Sequence, residues 1–350
     1  MKNKDGRIEL VRFIASIFIM IGHMGIFCDL SRPFSDAWFY VEMFLMITGY
    51  FTAKHFLERI NDDFGRPSGS AARYSIAYTV HKFIRFFPYT TPAIFIKYIL
   101  DGLPLILHHH FGELVHQFED MPFELLYLSA ANTNGTRLFT IWFLSAMFLV
   151  FPAFCMFLQI KDKHRIFLIS FYFFIFYYLF RYDFGSHHFP NQLIRVFCGM
   201  MGGVLVYFFS RTLRQVKLSE TMVKWIGVCE IICFLIPVIF AFWNKRILRL
   251  DLLCFLVQLI LIFSEKTEVP RLSYNFIYHL GSLSMPIYIW HMVIATLLSY
   301  ISHYFPVWML VTFYFMGTFI VSVVNMKVVK RKKLISHNSL EKVLKNIFDL

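Results

Sequence analysis

Charge is scarce in this sequence: 16% of its 350 residues are Asp, Glu, Lys or Arg, against about 25% in soluble domains. That excludes a water-facing globular enzyme. No C-x-x-C pair joins the six cysteines (Cys28, Cys155, Cys198, Cys229, Cys233 and Cys254), and no His stands at ligand spacing from them. They read as small buried hydrophobes rather than as metal ligands. No small-residue cleavage site follows the first apolar stretch, which itself carries Arg12 and His23, so that stretch is expected to stay as a helix rather than to be removed as a signal peptide. Internal repeats and low-complexity linkers are missing as well, although 61–72 (NDDFGRPSGSAA) reads as a flexible loop.

What the chain has is apolar bulk, with 58% hydrophobic residues, 44 Phe, 18 Tyr, 6 Trp and a mean hydropathy of +0.58. No single water-facing core hides so many large rings. Apolar runs fall at 9–29, 38–57, 83–107, 141–160, 165–181, 192–210, 223–243, 250–264, 283–303 and 306–326. At roughly 20 residues per crossing, they predict an all-α polytopic membrane protein of about ten transmembrane helices. The expected division is a transmembrane domain over 1–333 and a cytoplasmic tail over 334–350.

The formal charge is +12, and its distribution gives the topology. With the N-terminus inside, the cytoplasmic face collects Lys2, Lys4, Arg7, the cations from Lys54 to Arg85, Lys161, Lys163, Arg165, Arg211, Arg214, Lys217, Lys224, Lys266, Arg271 and the cluster after Lys327. The outer face is left with Arg32, Arg137, Arg181, Lys245, Arg246 and Arg249. The asymmetry predicts N-in and C-in, with the basic loop at 244–250 (NKRILR) as the dissenting segment. The C-terminal run KVVKRKK reads as an anchor on anionic membrane lipid rather than as a nucleic-acid site.

Ionisable residues inside spans are costly and mark function. In the first span Arg12 and His23 are eleven residues apart, about three turns and roughly 16–17 Å, so they share a helix face at different depths. The second span, VEMFLMITGYF, places Glu42 near the depth of His23. A carboxylate there needs a partner, and His23 is the expected one: bonded to one ring nitrogen, it fixes the tautomer and raises the basicity of the other. A purely structural polar pair between helices is the competing reading. Thr48 and Gly49 allow close helix approach. Before the third span, HKFIRFFP sets Lys82 and Arg85 three apart, a basic face suited to phosphate and equally a topology signal. Trp142 and Ser145 (WFLSAMF), Arg195 (LIRVFCGMMGG), and Tyr288 and His291 (SLSMPIYIWHM) are candidates to line a cavity, the last two following a Pro that frees backbone groups. Gly199 and Gly203 read as helix packing. The histidines at 108–110 and 187–188 have no partner at ligand spacing, so no metal is expected.

Taken in order, the Arg12–His23 spacing, VEMFLMITGYF, HKFIRFFP, WFLSAMF and SMPIYIWHM resemble the acyltransferase family 3 membrane O-acyltransferases over most of the chain. That resemblance implies a domain of about ten helices that moves acyl groups, commonly acetyl from acetyl-CoA, onto carbohydrates of the bacterial envelope, in the cytoplasmic membrane. By position, Arg12 and His23 match the family's Arg and His of the first helix. Lys82 and Arg85 match its Arg-x-x-Arg pair, with Lys in place of the first Arg, and Thr48-Gly49 stands where the family has Ser-Gly. The resulting expectation is an O-acetyltransferase. Acetyl-CoA docks on Arg12, Lys82 and Arg85, and His23, oriented by Glu42, deprotonates a hydroxyl of an envelope carbohydrate or lipid-linked sugar. An acetyl-His intermediate is a variant of the same scheme. The alternative is a secondary transporter or translocase of a lipid-linked sugar or small solute, since intramembrane His, Glu and Arg also mark transport paths; inverted repeats and paired broken helices, which that reading calls for, are missing. Acceptor sugar, acyl length and oligomeric state are not readable from the sequence.

Overall fold

The computed structural model describes residues 6–28, 34, 37–59, 71–131, 136–180, 190–243, 247–267, 269 and 275–331. Among these residues there is no strand, and the chain is a bundle of twelve α-helices: α1 (Gly6–Gly22), α2 (Tyr40–Arg59), α3 (Ala71–Ile84), α4 (Phe87–Leu107), α5 (Phe111–Leu125), α6 (Trp142–Phe157), α7 (Lys163–Phe180), α8 (Asn191–Gln215), α9 (Glu220–Phe242), α10 (Leu248–Ser264), α11 (Asn275–Ile301) and α12 (Val307–Arg331). Each of the ten apolar runs corresponds to one helix. Eight of them, α1, α4, α6, α7, α8, α9, α11 and α12, are long and apolar enough to cross a membrane. The other two fall short for visible reasons: α2 is diluted by Glu42, Lys54, His55 and Glu58, and α10 has 17 residues. Both pack inside the bundle against α8.

Two helices stand outside the ten runs. Pro88 explains the first, α3, because a residue without an N–H is tolerated in the first turn of a helix and disrupts the interior of one. The chain therefore breaks after Ile84 and restarts at Phe87 as α4, with Pro88 in its first turn. The second, α5, is amphipathic. Phe111, Val115 and Phe118 are exposed on one side, while Gln117, Asp120 and Glu124 are buried on the other. The Glu124 carboxylate accepts from the backbone N–H groups of Arg137 and Leu138 and so holds the chain as it enters α6. Burial pushes this carboxyl up to about 7, an effect the two backbone donors partly offset.

At the centre of the bundle, α2 and α8 touch backbone to backbone. A methyl group on Gly49 would stand 2.1 Å from the Met200 carbonyl oxygen, and one on Gly203 would stand 2.1 Å from that of Met46. Small residues at such crossings allow van der Waals contact along the backbone, which drives helix association in lipid. Helices α1 and α11 pack side by side and run parallel: Gly281 receives Glu9 near their N-termini, and His23 meets His291 further along. The tail 334–350, most of the basic run after Lys330, the loop at 61–70, His187 and His188, Arg32 and Arg181, and Lys245 and Arg246 of the dissenting loop lie outside the described residues. Arg249, at the described end of that loop, donates to the Leu179 carbonyl at 3.0 Å.

Candidate active site

Three cations from two distant parts of the sequence meet at one cavity. Arg12 from α1, Lys82 from the end of α3 and Arg85 from the turn before α4 all line a space of about 480 Å³. Its walls are otherwise apolar: α2 contributes Val41, Phe44, Ile47 and Phe51, α6 contributes Phe143, Met147 and Phe151, and α11 contributes Met285 and Pro286. Thr48, Tyr89, Ser282, Ser284 and Tyr288 supply the polar edges. Two of the cations are held by neighbours. Arg12 donates to Glu9 at 3.0 Å on the same helix, and the Lys82 ammonium sits 5.3 Å from the centre of the Tyr78 ring. Burial, and after it the neighbouring Arg85, push the Lys82 ammonium down from its ordinary value. An anion on this group would reverse both effects.

His23 does not line the cavity. It follows Gly22 at the end of α1, where the helix gives way to a 3-10 turn over Met24–Ile26. Its Nδ1 lies 2.8 Å from the Ile19 carbonyl oxygen. A carbonyl can only accept, so Nδ1 carries the hydrogen and Nε2 keeps a lone pair. The ring faces His291 of α11 at 5.0 Å between centroids and Phe139 at 6.3 Å. His291 in turn lies 5.9 Å from Tyr288, one turn earlier on α11. Tyr288 thus belongs to both regions, as part of the cavity wall and as a neighbour of the histidines. It meets Phe143 edge-on at 5.0 Å.

The expected bond between His23 and Glu42 is replaced by others. Glu42 accepts from Arg195 Nε at 2.7 Å and from the Tyr177 hydroxyl at 3.2 Å. Arg195 and Glu42 are 0% and 1% exposed, and the guanidinium lies 5.0 Å from the Trp38 ring and 4.6 Å from the Trp142 ring. The physical reason is charge. A fully buried carboxylate is better satisfied by a permanent cation that also bonds to it than by a neutral imidazole already engaged with a backbone carbonyl. Arg195 and Trp142 therefore belong to a buried ion pair beside the site and do not line the cavity. Ser145 is also elsewhere, since its hydroxyl donates to the Tyr127 carbonyl at 2.9 Å and accepts from Ala130 N–H at 2.7 Å, pinning the segment that leads toward α6. Of the five expected lining residues, Tyr288 lines the cavity and His291 sits just behind it. Trp38 and Tyr177 escaped the sequence reading because an aromatic in an apolar run gives no sign of which distant charge it will cover.

A family model described as an acyltransferase domain, that of acyltransferase family 3, matches residues 5–326. The chain belongs to acyltransferase family 3. The match runs from the start of α1 to near the end of α12 and so includes every residue of the site. No curated protein and no solved structure matches the chain. As a member of this family the protein is a membrane acyltransferase.

Proposed function

We propose that this acyltransferase takes acetyl from cytoplasmic acetyl-CoA and places it on a hydroxyl of a cell-envelope carbohydrate or lipid-linked sugar, in a bacterial cytoplasmic membrane with both termini inside. The observation that carries the reading is the convergence of Arg12, Lys82 and Arg85 on one apolar cavity. An acyl-CoA has this polarity, with phosphates at one end and a thin, largely uncharged arm ending in the thioester. Charge-assisted bonds to the phosphates are worth about 1.5–3 kcal/mol each. The three cations stand toward the beginnings of α1 and α4 and the end of α3, the cytoplasmic end in this topology, and the walls from α2 and α6 carry the cavity inward from them.

His23 stands about 16.5 Å from Arg12 along the axis of α1, a span suited to the pantetheine arm. Its Nε2 lone pair removes the proton of the acceptor hydroxyl while the oxygen attacks the thioester carbonyl. A C–O bond forms, the C–S bond breaks, and the proton passes to the departing thiolate. Direct transfer fits the fixed Nδ1–H tautomer, and an acetyl group carried on Nε2 uses the same lone pair. For the arm to reach His23, Tyr288 and Phe143 have to part.

The test is incubation of the purified protein with radiolabelled acetyl-CoA and envelope glycan. Label on the glycan, with one free CoA per acetyl, is the expected result. Movement of glycan without CoA release would mark a transporter instead and overturn the reading.

A further inference from the structure

His291 is 0% exposed, and its Nε2 finds no hydrogen-bond partner among the described residues. Its Nδ1 lies 3.1 Å from the Ile287 carbonyl oxygen, so by the argument already made for His23 the hydrogen is on Nδ1 and the orphaned Nε2 carries a lone pair. The same device, a bond back to the carbonyl four residues earlier, fixes both rings in the same tautomer. Two basic nitrogens are thereby set in rings 5.0 Å apart, where neither can donate to the other. A buried acceptor without a donor is costly, so one kept in a fold calls for an explanation. One proton on either ring would give the pair a donor where neither Nε2 has one to offer.

We infer that His291 is a positioning residue for His23: it accepts a hydrogen bond from the His23 imidazolium formed when the acceptor hydroxyl gives up its proton. This rests on the proposed role of His23. In the step, the O–H bond of the acceptor breaks and an Nε2–H bond forms on His23, giving an imidazolium. His291 Nε2 takes a hydrogen bond from that N–H and holds the ring until the C–S bond breaks. The proton then returns from His23 to the thiolate, so His291 gains and loses none in a turnover. Few other groups compete for this role. Among the described residues, the rings beside the pair are Tyr288 on the same helix and Phe139 from the segment before α6. Arg195, beyond Tyr288, is neutralised by Glu42.

Five proteins and two measurements test this. In the labelled acetyl-transfer assay, His291→Leu is expected to lower kcat about 10- to 100-fold, the scale for a group that orients a functional imidazole, with the acetyl-CoA KM unchanged within about twofold. His291→Gln places an amide acceptor near the position of Nε2 and is expected to recover part of the loss. In a His23→Ala background, His291→Leu is expected to add nothing. A kcat within twofold of wild type, an effect confined to KM, or a full further loss in the His23→Ala background would each overturn the pairing. The wild-type protein separates the two proposals, because its failure to transfer label refutes the acetyl-transfer function rather than the pairing. The second measurement needs no turnover. In nitrogen-15 spectra of histidine-labelled protein, His291→Leu is expected to move the titration midpoint of His23, and an unmoved midpoint refutes the pairing whatever the activity.

Discussion

Replacing Glu42 by Gln separates the two partners considered for it. In the structure the carboxylate answers Arg195, and both groups are fully buried. Removing one member of such a pair strands the other charge and costs about 3–5 kcal/mol. Here the guanidinium keeps the faces of Trp38 and Trp142, each contact being worth about 0.5–2 kcal/mol, so the expected loss is near the lower end, about 3 kcal/mol. The assay is unfolding of the detergent-solubilised protein, followed by temperature or by added SDS. Arg195→Met is expected to cost a similar amount, and Glu42→Leu combined with Arg195→Met less than the sum of the single changes, since the double variant leaves no unpaired charge. If Glu42→Gln instead unfolds like wild type while its kcat collapses, the carboxylate serves His23 directly and the ion-pair argument is wrong.

His23→Ala is expected to lower acetyl transfer by about 10²- to 10⁴-fold with unfolding unchanged, and retained transfer would remove the proposed base. Lys82→Arg is expected to hold or lower the acetyl-CoA KM, because a planar fork replaces a point charge at the same net charge; Lys82→Gln and Arg85→Gln are expected to raise it, and three unchanged KM values would leave the basic cluster as a topology signal only. Gly49→Ala and Gly203→Ala are expected to destabilise by at least about 3 kcal/mol, since the new methyl group meets backbone that cannot move aside. Gly112→Ala, where nothing lies within 4 Å, is the control and is expected to be neutral or stabilising by up to about 1 kcal/mol. Glu124 predicts a pH dependence: its folded carboxyl is raised to about 7 from the ordinary 4.5, so the folded state binds the extra proton and this contribution, about 3 kcal/mol, is present below pH 4.5 and lost as the pH rises through 7. Unfolding measured across that range is expected to lose this slope in Glu124→Gln.

The spans were legible because twenty apolar residues in a row have few other fates, and each of the ten runs found a helix. The basic cluster was legible in part: the distribution of Lys and Arg along the chain predicts Arg12, Lys82 and Arg85 on one side of the spans, and their meeting at a single cavity needed the structure. Depth can be read from residue counts along a helix, but direction around the axis relative to a neighbour cannot. Glu42 and His23 were paired on depth alone, whereas the partner Glu42 has in the fold, Arg195, is 153 positions away on a helix that sequence order does not place beside α2. For His291, sequence reading gave a buried polar residue after Pro286 in a ninth span running the same way as the first, but no sign that the two pack side by side, which is what brings it to His23. α5 was missed, because at 15 residues, with Gln117, Asp120 and Glu124 on its buried side, it lies below the length and apolarity that a search for spans detects.

The way α2 is shared between its neighbours has a consequence for how this enzyme's cavity can vary. Val41, Phe44, Ile47, Thr48 and Phe51 look into the cavity, while Glu42, Leu45, Met46, Gly49 and Tyr50 meet α8. The two sets interleave along the sequence and separate cleanly around the helix. Drift in the first set reshapes the cavity and leaves the crossing with α8 intact; drift in the second threatens the bundle first. A library that randomises only 44, 47 and 51 therefore varies the cavity on a scaffold that stays assembled, whereas adding 49 sets new side chains against the Met200 backbone.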